Sequence, residues 1–346
     1  MGTGTLVIPD KELLPYVSGN DLAEKAHGLL EQQKVTWELL RGGYASLATV
    51  RTRVFTFDSC TIHVQYNPGR LTSSSAKVDE QSIRKRTCFL CPANLPADQR
   101  GLFYRDRYYI LCNPFPIFPE HFTISSSDHI PQRILPSFGT LLDLAKDMAG
   151  RYVVFYNGPQ CGASAPDHLH FQAGNKDFMP IAREYETVIS NHADLLLDRH
   201  DLRVYGVERY LRSFVSLESS NSALLVRAFG ILYRDLQEVT AALNPSPPGG
   251  EPMMNILAFC ERGQWRVIIF PRAKHRPSFY FEEGDKRILL SPAAVDLGGV
   301  CITPLEEDFN KISEANIVDM FREISLTAEL FRNLKERVSK KFLEGM

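Results

Sequence analysis

An α+β fold is expected, because helical and strand segments mix along the chain without regular strand–helix alternation. Three observations carry this expectation. The tail from Ser313 to Phe342 is amphipathic at helical spacing, residues 255–270 read as a hairpin, and short apolar strand segments cluster between residues 108 and 173.

In chain order, residues 20–41 read as one helix, with Asn20 as N-cap, Leu22, Ala26, Leu29 and Leu30 on one face, and Gly42-Gly43 as its stop. Residues 51–66 alternate and are rich in Val, Thr, Phe and Tyr, so a strand is expected there, ending at the turn Asn67-Pro68-Gly69. A polar, basic loop from Arg70 to Arg86 delivers the chain to Cys88-Phe89-Leu90-Cys91. Tyr108–Cys112 and Phe122–Ser125 are strand candidates, Ile134–Ala149 has helical spacing, and Tyr152–Tyr156 and His168–Ala173 are further strands. Residues 180–245 are expected to be mostly helical, and Pro245 to Gly250 gives the clearest loop signal. Asn255–Cys260 and Trp265–Phe270 flank Glu261-Arg262-Gly263-Gln264 as a hairpin.

The 346 residues suggest two domains or one large one. At 44% hydrophobic and 23% charged, the chain has the composition of a folded protein rather than a disordered or fibrous one. A net charge of −2 argues against a broad electrostatic footprint for nucleic acid, while leaving room for a local basic pocket. No stretch approaches the ~20 apolar residues that span a bilayer, so no membrane association is expected. The start, Met1-Gly2-Thr3-Gly4-Thr5, lacks the pattern of a secretory signal, and 7 cysteines is an odd number; a cytoplasmic protein with reduced thiols is expected.

The segment from Tyr156 to Gln172 carries the strongest chemical signal. Its core is His168-x-His170-x-Gln172. On a strand, residues two apart share a face, so two imidazoles and a carboxamide project together while Leu169 and Phe171 project toward a core. A lone His-x-His is more often a solvent-facing strand. The preceding turn shifts the balance, because Asn157, Gly158, Gly162 and Ser164 offer the amide, hydroxyl and backbone N–H groups that a phosphate needs. A neutral imidazole is a competent nucleophile once its other nitrogen is held.

This segment resembles the active-site strand of the histidine-triad superfamily, in the branch with Gln at the third position. That branch includes the galactose-1-phosphate uridylyltransferases, the diadenosine tetraphosphate phosphorylases and the GDP-galactose and ADP-glucose phosphorylases. Asp167-His168-Leu169-His170-Phe171-Gln172 is similar to the form found in plant GDP-galactose phosphorylases. Asn113-Pro114-Phe115-Pro116 through Ile124, closed by His129, is similar to the branch's nucleotide-pocket strands. The resemblance is specific over residues 88–175. It implies a histidine-triad-like antiparallel sheet with packed helices, in two halves of which the second is degenerate. The catalytic half with its N-terminal extension is expected over 1–205 and the catalytically silent half, with the C-terminal helix, over 206–346.

The resemblance further implies a nucleotidyltransferase of phosphorylase type that acts on a nucleoside diphosphate sugar (GDP- or ADP-hexose type). His170 is the nucleophile, and Gln172 stabilises the developing charge. Asn113, Phe115, Asn157, Gly162, Ala163 and Ser164 bind the substrate, with phosphate or a sugar 1-phosphate as acceptor. Dinucleoside polyphosphate phosphorolysis, hydrolysis of a nucleotide conjugate and non-catalytic nucleotide binding are the alternatives. Gln172, where hydrolases carry a third His, favours transfer. Asp167 adds one residue before the first His relative to the dinucleotide phosphorylases, which weakens that alternative. Related transferases are often homodimers.

Cys88-x-x-Cys91 alone is ambiguous, since two cysteines three apart also occur by chance in helices or cores, and for a structural zinc it would supply two of the four ligands. Zinc-bearing members of the superfamily imply His129 and His168 as the other two, with His121 the rival for the third place. Cys161 is treated as a lining residue of the Gly-rich turn, with a nucleophilic role as its alternative. Cys60, Cys112, Cys260 and Cys301 lie in apolar runs and are expected in the core. His27, His192 and His200 lie in polar, helical-looking stretches and are expected at the surface. Arg70 is expected to be solvated, with a phosphate contact as the alternative. Arg272-Ala273-Lys274-His275-Arg276 is equally a charged loop or a contact to an anionic substrate.

Overall fold

The computed structural model describes residues 6–71, 79–208, 210–243 and 250–345. Its centre is a 10-stranded sheet in the order β3-β4-β5-β7-β6-β11-β12-β10-β9-β8. In chain order these are β3 (Gly101–Tyr104), β4 (Tyr108–Cys112), β5 (His121–Ser126), β6 (Tyr152–Asn157), β7 (His170–Asn175), β8 (Ala193–Arg199), β9 (Leu202–Val207), β10 (Phe214–Ser219), β11 (Met254–Glu261) and β12 (Gln264–Pro271). Every neighbouring pair is antiparallel. A 3-stranded sheet joins β1 (Arg51–Phe57), β2 (Cys60–Tyr66) and, in parallel to β2, β13 (Val300–Thr303). The α+β expectation therefore holds.

The sheet consists of two halves with one topology. The order β3-β4-β5-β7-β6 repeats as β8-β9-β10-β12-β11 when read from the opposite edge, and the two halves join where β6 pairs with β11. In each half a helix follows the third strand: Phe138–Asp147 after β5 and Ser222–Thr240 after β10. In the second half β12 takes the place of β7, and its Val267-Ile268-Ile269-Phe270 is apolar where β7 carries His170 and Gln172.

Period-2 alternation sends side chains to two cores. Tyr152, Val154, Phe171, Ala173, Ile256 and Val267 pack in one cluster with the helices 138–147, 222–240 and 328–345. Val153, Phe155, Leu257 and Ile268 pack in the other with β2, β13 and the helices 181–192 and 314–324. His170 and Gln172 point to this second side, so the polar stripe of β7 faces the smaller sheet.

Several elements differ from the sequence reading. Asp21, not Asn20, caps the helix Leu22–Thr36 by accepting a hydrogen bond from Glu24 N. A second helix, Glu38–Ser46, runs through Gly42-Gly43 rather than stopping there. Gly43 is needed for contact: a Cβ on it would lie 2.0 Å from the carbonyl oxygen of Pro114. Residues 51–66 form a hairpin, not one strand, with its turn at Asp58-Ser59. Residues 193–219 form β8, β9 and β10 rather than helix. His200 and Asp201 take positive φ of 50° and 67°, the paired left-handed residues of a tight hairpin. The amphipathic tail breaks at residues 325–327 into Glu314–Ile324 and Ala328–Gly345. The loop signal at 245–249 and residues 72–78 of the basic loop lie outside the described residues. No helix among the described residues is long and apolar enough to cross a membrane.

The glycine pair gives opposite expectations. A Cβ at Gly42 meets nothing within 4 Å, so Gly42→Ala should stabilise by ~1 kcal/mol through helix propensity. Gly43→Ala should destabilise by ~1–3 kcal/mol, because the helix must move off Pro114. Thermal unfolding of the two variants checks the sign of each.

Candidate functional site

The site grows from the start of β7. His170 Nδ1 lies 2.8 Å from the carbonyl oxygen of His168 and donates its proton to it, which leaves the lone pair on Nε2. Nε2 has no hydrogen-bond partner among the described residues, and the ring lines a cavity of about 540 Å³. Burial pushes the His170 pKa down to about 4. The backbone here is clamped by Gln132, which is buried and was not singled out by the sequence. Gln132 Oε1 accepts from His170 N at 2.8 Å, and its Nε2 donates to the carbonyls of Asn157 at 2.9 Å and His170 at 3.0 Å.

Gln172 is oriented by His121. His121 Nδ1 accepts from Ile117 N at 3.2 Å, so the proton sits on Nε2 and is donated to Gln172 Oε1 at 2.9 Å. The Gln172 NH2 is thereby left as its donor toward the cavity it lines. Burial, and next the charge of Arg70, pushes His121 down to about 3.

The Gly-rich turn supplies donors. The backbone N–H groups of Gly162, Ala163 and Ser164 make no hydrogen bond among the described residues, and all three residues line the cavity. Gly162 has φ +94°, and a Cβ there would lie 2.5 Å from Ala293 Cβ. Two buried residues that the sequence reading gave no role in the turn hold it. Asn255 Nδ2 donates to Cys161 O at 2.7 Å and to Asn157 Oδ1 at 2.8 Å, and Arg272 donates to Asn255 Oδ1 at 2.6 Å. An asparagine in an otherwise apolar strand was the available signal for the first. Asn157 Oδ1 also accepts from Ala294 N, so its NH2 is the group left over.

Asn113 and Phe115 line the same cavity, though the Asn113 amide serves its own loop, accepting from Phe115 N at 3.0 Å and reaching Thr123 Oγ1 at 3.4 Å. Cys161 departs from expectation. It is fully buried behind the turn rather than lining the cavity, and burial pushes its thiol up to about 12, which disfavours the thiolate a nucleophile requires. Arg70 is not a solvated arginine either. It lines the cavity and donates to Phe115 O at 2.8 Å.

The second feature is a four-residue cluster. Donor atoms of Cys88, Cys91, His129 and His168 all lie within 4.8 Å of one another. His168 Nδ1 is 3.3 Å from Cys88 Sγ, 3.6 Å from Cys91 Sγ and 3.3 Å from His129 Nδ1, and Cys91 Sγ is 3.3 Å from His129 Nδ1. A tetrahedral zinc with ordinary Zn–S and Zn–N lengths has ligand–ligand edges of ~3.3–3.8 Å, so the cluster can hold a metal. His168 Nε2 donates to Ser126 O at 2.9 Å, which fixes the tautomer that frees Nδ1. Asp167, the extra residue before the motif, sits 3.9 Å from His129 Nε2 and pairs with Arg86. His121 belongs to Gln172 and not to this cluster.

Comparison with known proteins gives three findings. Residues 29–175 match the family described as "Domain of unknown function (DUF4922)", and residues 184–344 match "GDPGP1-like, C-terminal domain". A galactose-1-phosphate uridylyltransferase of Halalkalibacterium halodurans is 26% identical over 136 residues, covering 38% of this chain. The chain matches about a quarter of that relative's length, 25%. Among solved structures, yeast Ap4A phosphorylase Apa2 shares the fold at a TM-score of 0.53 and 18% identity, over 84% of this chain and 94% of that one. Its complex with AMP aligns at a TM-score of 0.54 and 14% identity, over 84% of this chain and 97% of that one.

Gln132 supplies the test of this arrangement. Gln132→Ala leaves one buried N–H and two buried carbonyls without their partner and should cost ~2–5 kcal/mol. Denaturant unfolding measures it; a loss within a few tenths of a kcal/mol would mean that β7 is held by other contacts.

Proposed function

We propose that this chain is a member of the histidine-triad-like branch that includes the uridylyltransferases, dinucleoside polyphosphate phosphorylases and GDP-galactose phosphorylases, and that it is a nucleotidyltransferase working through a covalent nucleotidyl-histidine. One observation carries the reading: among the described residues, an imidazole with a held Nδ1 and an unpartnered Nε2 shares its cavity with three unpaired backbone N–H groups.

Two displacements compose the reaction. His170 Nε2 attacks the α-phosphorus of a nucleoside diphosphate sugar; a P–N bond forms, the P–O bond to the β-phosphate breaks, and the sugar 1-phosphate leaves. An oxygen of inorganic phosphate then attacks the same phosphorus, the P–N bond breaks, and a nucleoside diphosphate is released. Donors at Gly162, Ala163 and Ser164, with the Gln172 NH2, meet the charge that develops on the non-bridging oxygens. A nucleotide sugar is favoured as substrate by the form of the His168–Gln172 motif and by the GDPGP1-like match over residues 184–344. A dinucleoside polyphosphate is the competing substrate class.

Zinc is the metal that two thiolates and two imidazoles suit best, and when bound it would supply a structural cross-link with no reacting group. Cys88, Cys91, His129 and His168 would hold it, tying the loop of residues 88–91 to the start of β7. All catalytic groups lie before residue 205, and residues 206–346 would carry none. We place the protein in the cytoplasm, where its 7 cysteines, none of them in a disulfide, stay reduced.

A panel of nucleotide sugars and diadenosine tetraphosphate, assayed with and without phosphate, tests the reaction class. Phosphate-dependent release of sugar 1-phosphate is expected, and phosphate-independent hydrolysis would contradict it. His170→Ala should abolish turnover without changing thermal stability, and added imidazole should partly restore His170→Gly. Gln172→Ala should slow turnover ~10²–10³-fold. Near-normal turnover of His170→Ala would exclude this mechanism.

Protein purified without added metal should carry about one zinc per chain by elemental analysis. Cys88→Ser should lose the metal and unfold at a lower temperature. A metal-free wild type with full activity would remove zinc from the account.

A further inference from the structure

One carboxyl from the second half of the chain is enclosed against the segment that carries Gln132, and the nucleotidyl-transfer chemistry does not use it. Glu251 lies just before β11. Its Oε2 accepts from Ile134 N at 2.6 Å and its Oε1 accepts from the Tyr156 hydroxyl at 2.7 Å. Resting on the function proposed above, we infer that ionised Glu251 is a positioning residue for His170: it latches the segment 130–134 to β6, and protonation of the carboxylate loosens that latch.

The latch reaches the nucleophile through one short segment. Residues 130–134 lie along the approach to β7: Leu169 N donates to Ile130 O at 2.7 Å, and Gln132 N donates to Pro166 O at 3.1 Å. The Gln132 side chain then grips both the N–H and the carbonyl of His170. Two residues on, Ile134 gives its N–H to Glu251. At the other carboxylate oxygen, Tyr156 directly precedes Asn157, whose carbonyl Gln132 also holds. A Cβ on Gly158 would lie 3.5 Å from Glu251 Oε1, so the carboxyl also stands over the entry to the Gly162–Ser164 turn.

Only the ionised form serves both donors. A carboxylate offers each of them an acceptor oxygen, whereas a carboxylic acid carries a proton on one oxygen and must donate from it. The backbone N–H of Ile134 cannot turn away, so protonation removes one of the two bonds or reverses the one to Tyr156. The charged and titratable groups around the carboxyl are Arg133 from the segment itself, Tyr156 from β6, Cys161 from the donor turn and Tyr233 from the helix 222–240. Burial keeps the two hydroxyls and the thiol neutral, and the charge of Arg133 favours the carboxylate. Desolvation outweighs that charge and both hydrogen bonds, and pushes Glu251 up to about 7. The latch therefore stands near half ionisation at neutral pH.

The test is the rate of nucleotidyl transfer from a labelled nucleoside diphosphate sugar to His170, in single turnover without phosphate, between about pH 6 and 8. Neither phosphate of that substrate titrates in this range, and His170, at about 4, does not either. The wild-type rate should rise ~5-fold or more with one midpoint near 7. Glu251→Gln should stay at the low rate at every pH, with affinity for the nucleotide sugar changed less than about twofold. Tyr156→Phe, which removes one donor and keeps the carboxyl, should move the midpoint upward. The NMR resonances of the Gln132 side-chain amide and the His170 backbone amide should shift with the wild-type midpoint and stay fixed in Glu251→Gln, a readout that needs no substrate. Should Glu251→Gln disturb folding, the displaced midpoint of Tyr156→Phe decides. A wild-type rate and resonances that are flat with pH would overturn the latch. So would persistence of the wild-type midpoint in Glu251→Gln, which would assign the titration to another group such as Asp296, a cavity carboxyl raised to about 6. Absence of any label on His170 in wild type would instead overturn the parent function, and the resonances would still decide the latch.

Discussion

The hydrogen bond from His170 Nδ1 to the carbonyl of His168 is the contact on which the site depends. It decides which imidazole nitrogen is protonated and turns Nε2 toward the cavity. Both ends of the His168–His170 segment are anchored. His168 is tied through its own ring to Ser126 O and to the cysteine–histidine cluster, while the backbone at His170 is gripped by Gln132. A metal held by that cluster would act as a positioning device: it would fix the segment two residues before His170 and take no part in bond making.

The same logic extends across the duplicated sheet. Both halves share one strand order, but the second places apolar residues where β7 carries imidazole and carboxamide. Its contribution is support. Asn255 and Arg272 reach across the β6–β11 seam to hold the donor turn, and the chain after β12 presents basic side chains to the cavity. The half whose β12 is apolar where β7 carries His170 and Gln172 therefore shapes the site of the other.

The site was more legible in the sequence than the elements around it. His168, His170 and Gln172 are readable because strand alternation forces residues two apart onto one face, and Cys88-x-x-Cys91 because its spacing is local. The alternation at 51–66 was seen, but not that a two-residue turn divides it. Strands β8 to β10 were missed because residues 193–219 carry enough charge to imitate an amphipathic helix, and the His200-Asp201 turn contains no glycine. Gln132, Asn255 and Arg272 could not be assigned their roles, since each acts on backbone far away in the chain. The choice between His121 and His129 was equally non-local: His121 packs against Gln172 on the neighbouring strand, and only the three-dimensional register shows it.

The central claim is that a nucleotidyl group is carried on His170 Nε2. Wild-type protein mixed with a labelled nucleotide sugar in the absence of phosphate, digested and mapped by mass spectrometry under non-acidic conditions, tests it most directly. The account predicts a single acid-labile, base-stable nucleotidyl adduct on the peptide containing His170, discharged on adding phosphate. Turnover with no adduct on the protein, or an adduct on another residue such as Cys161, would contradict it.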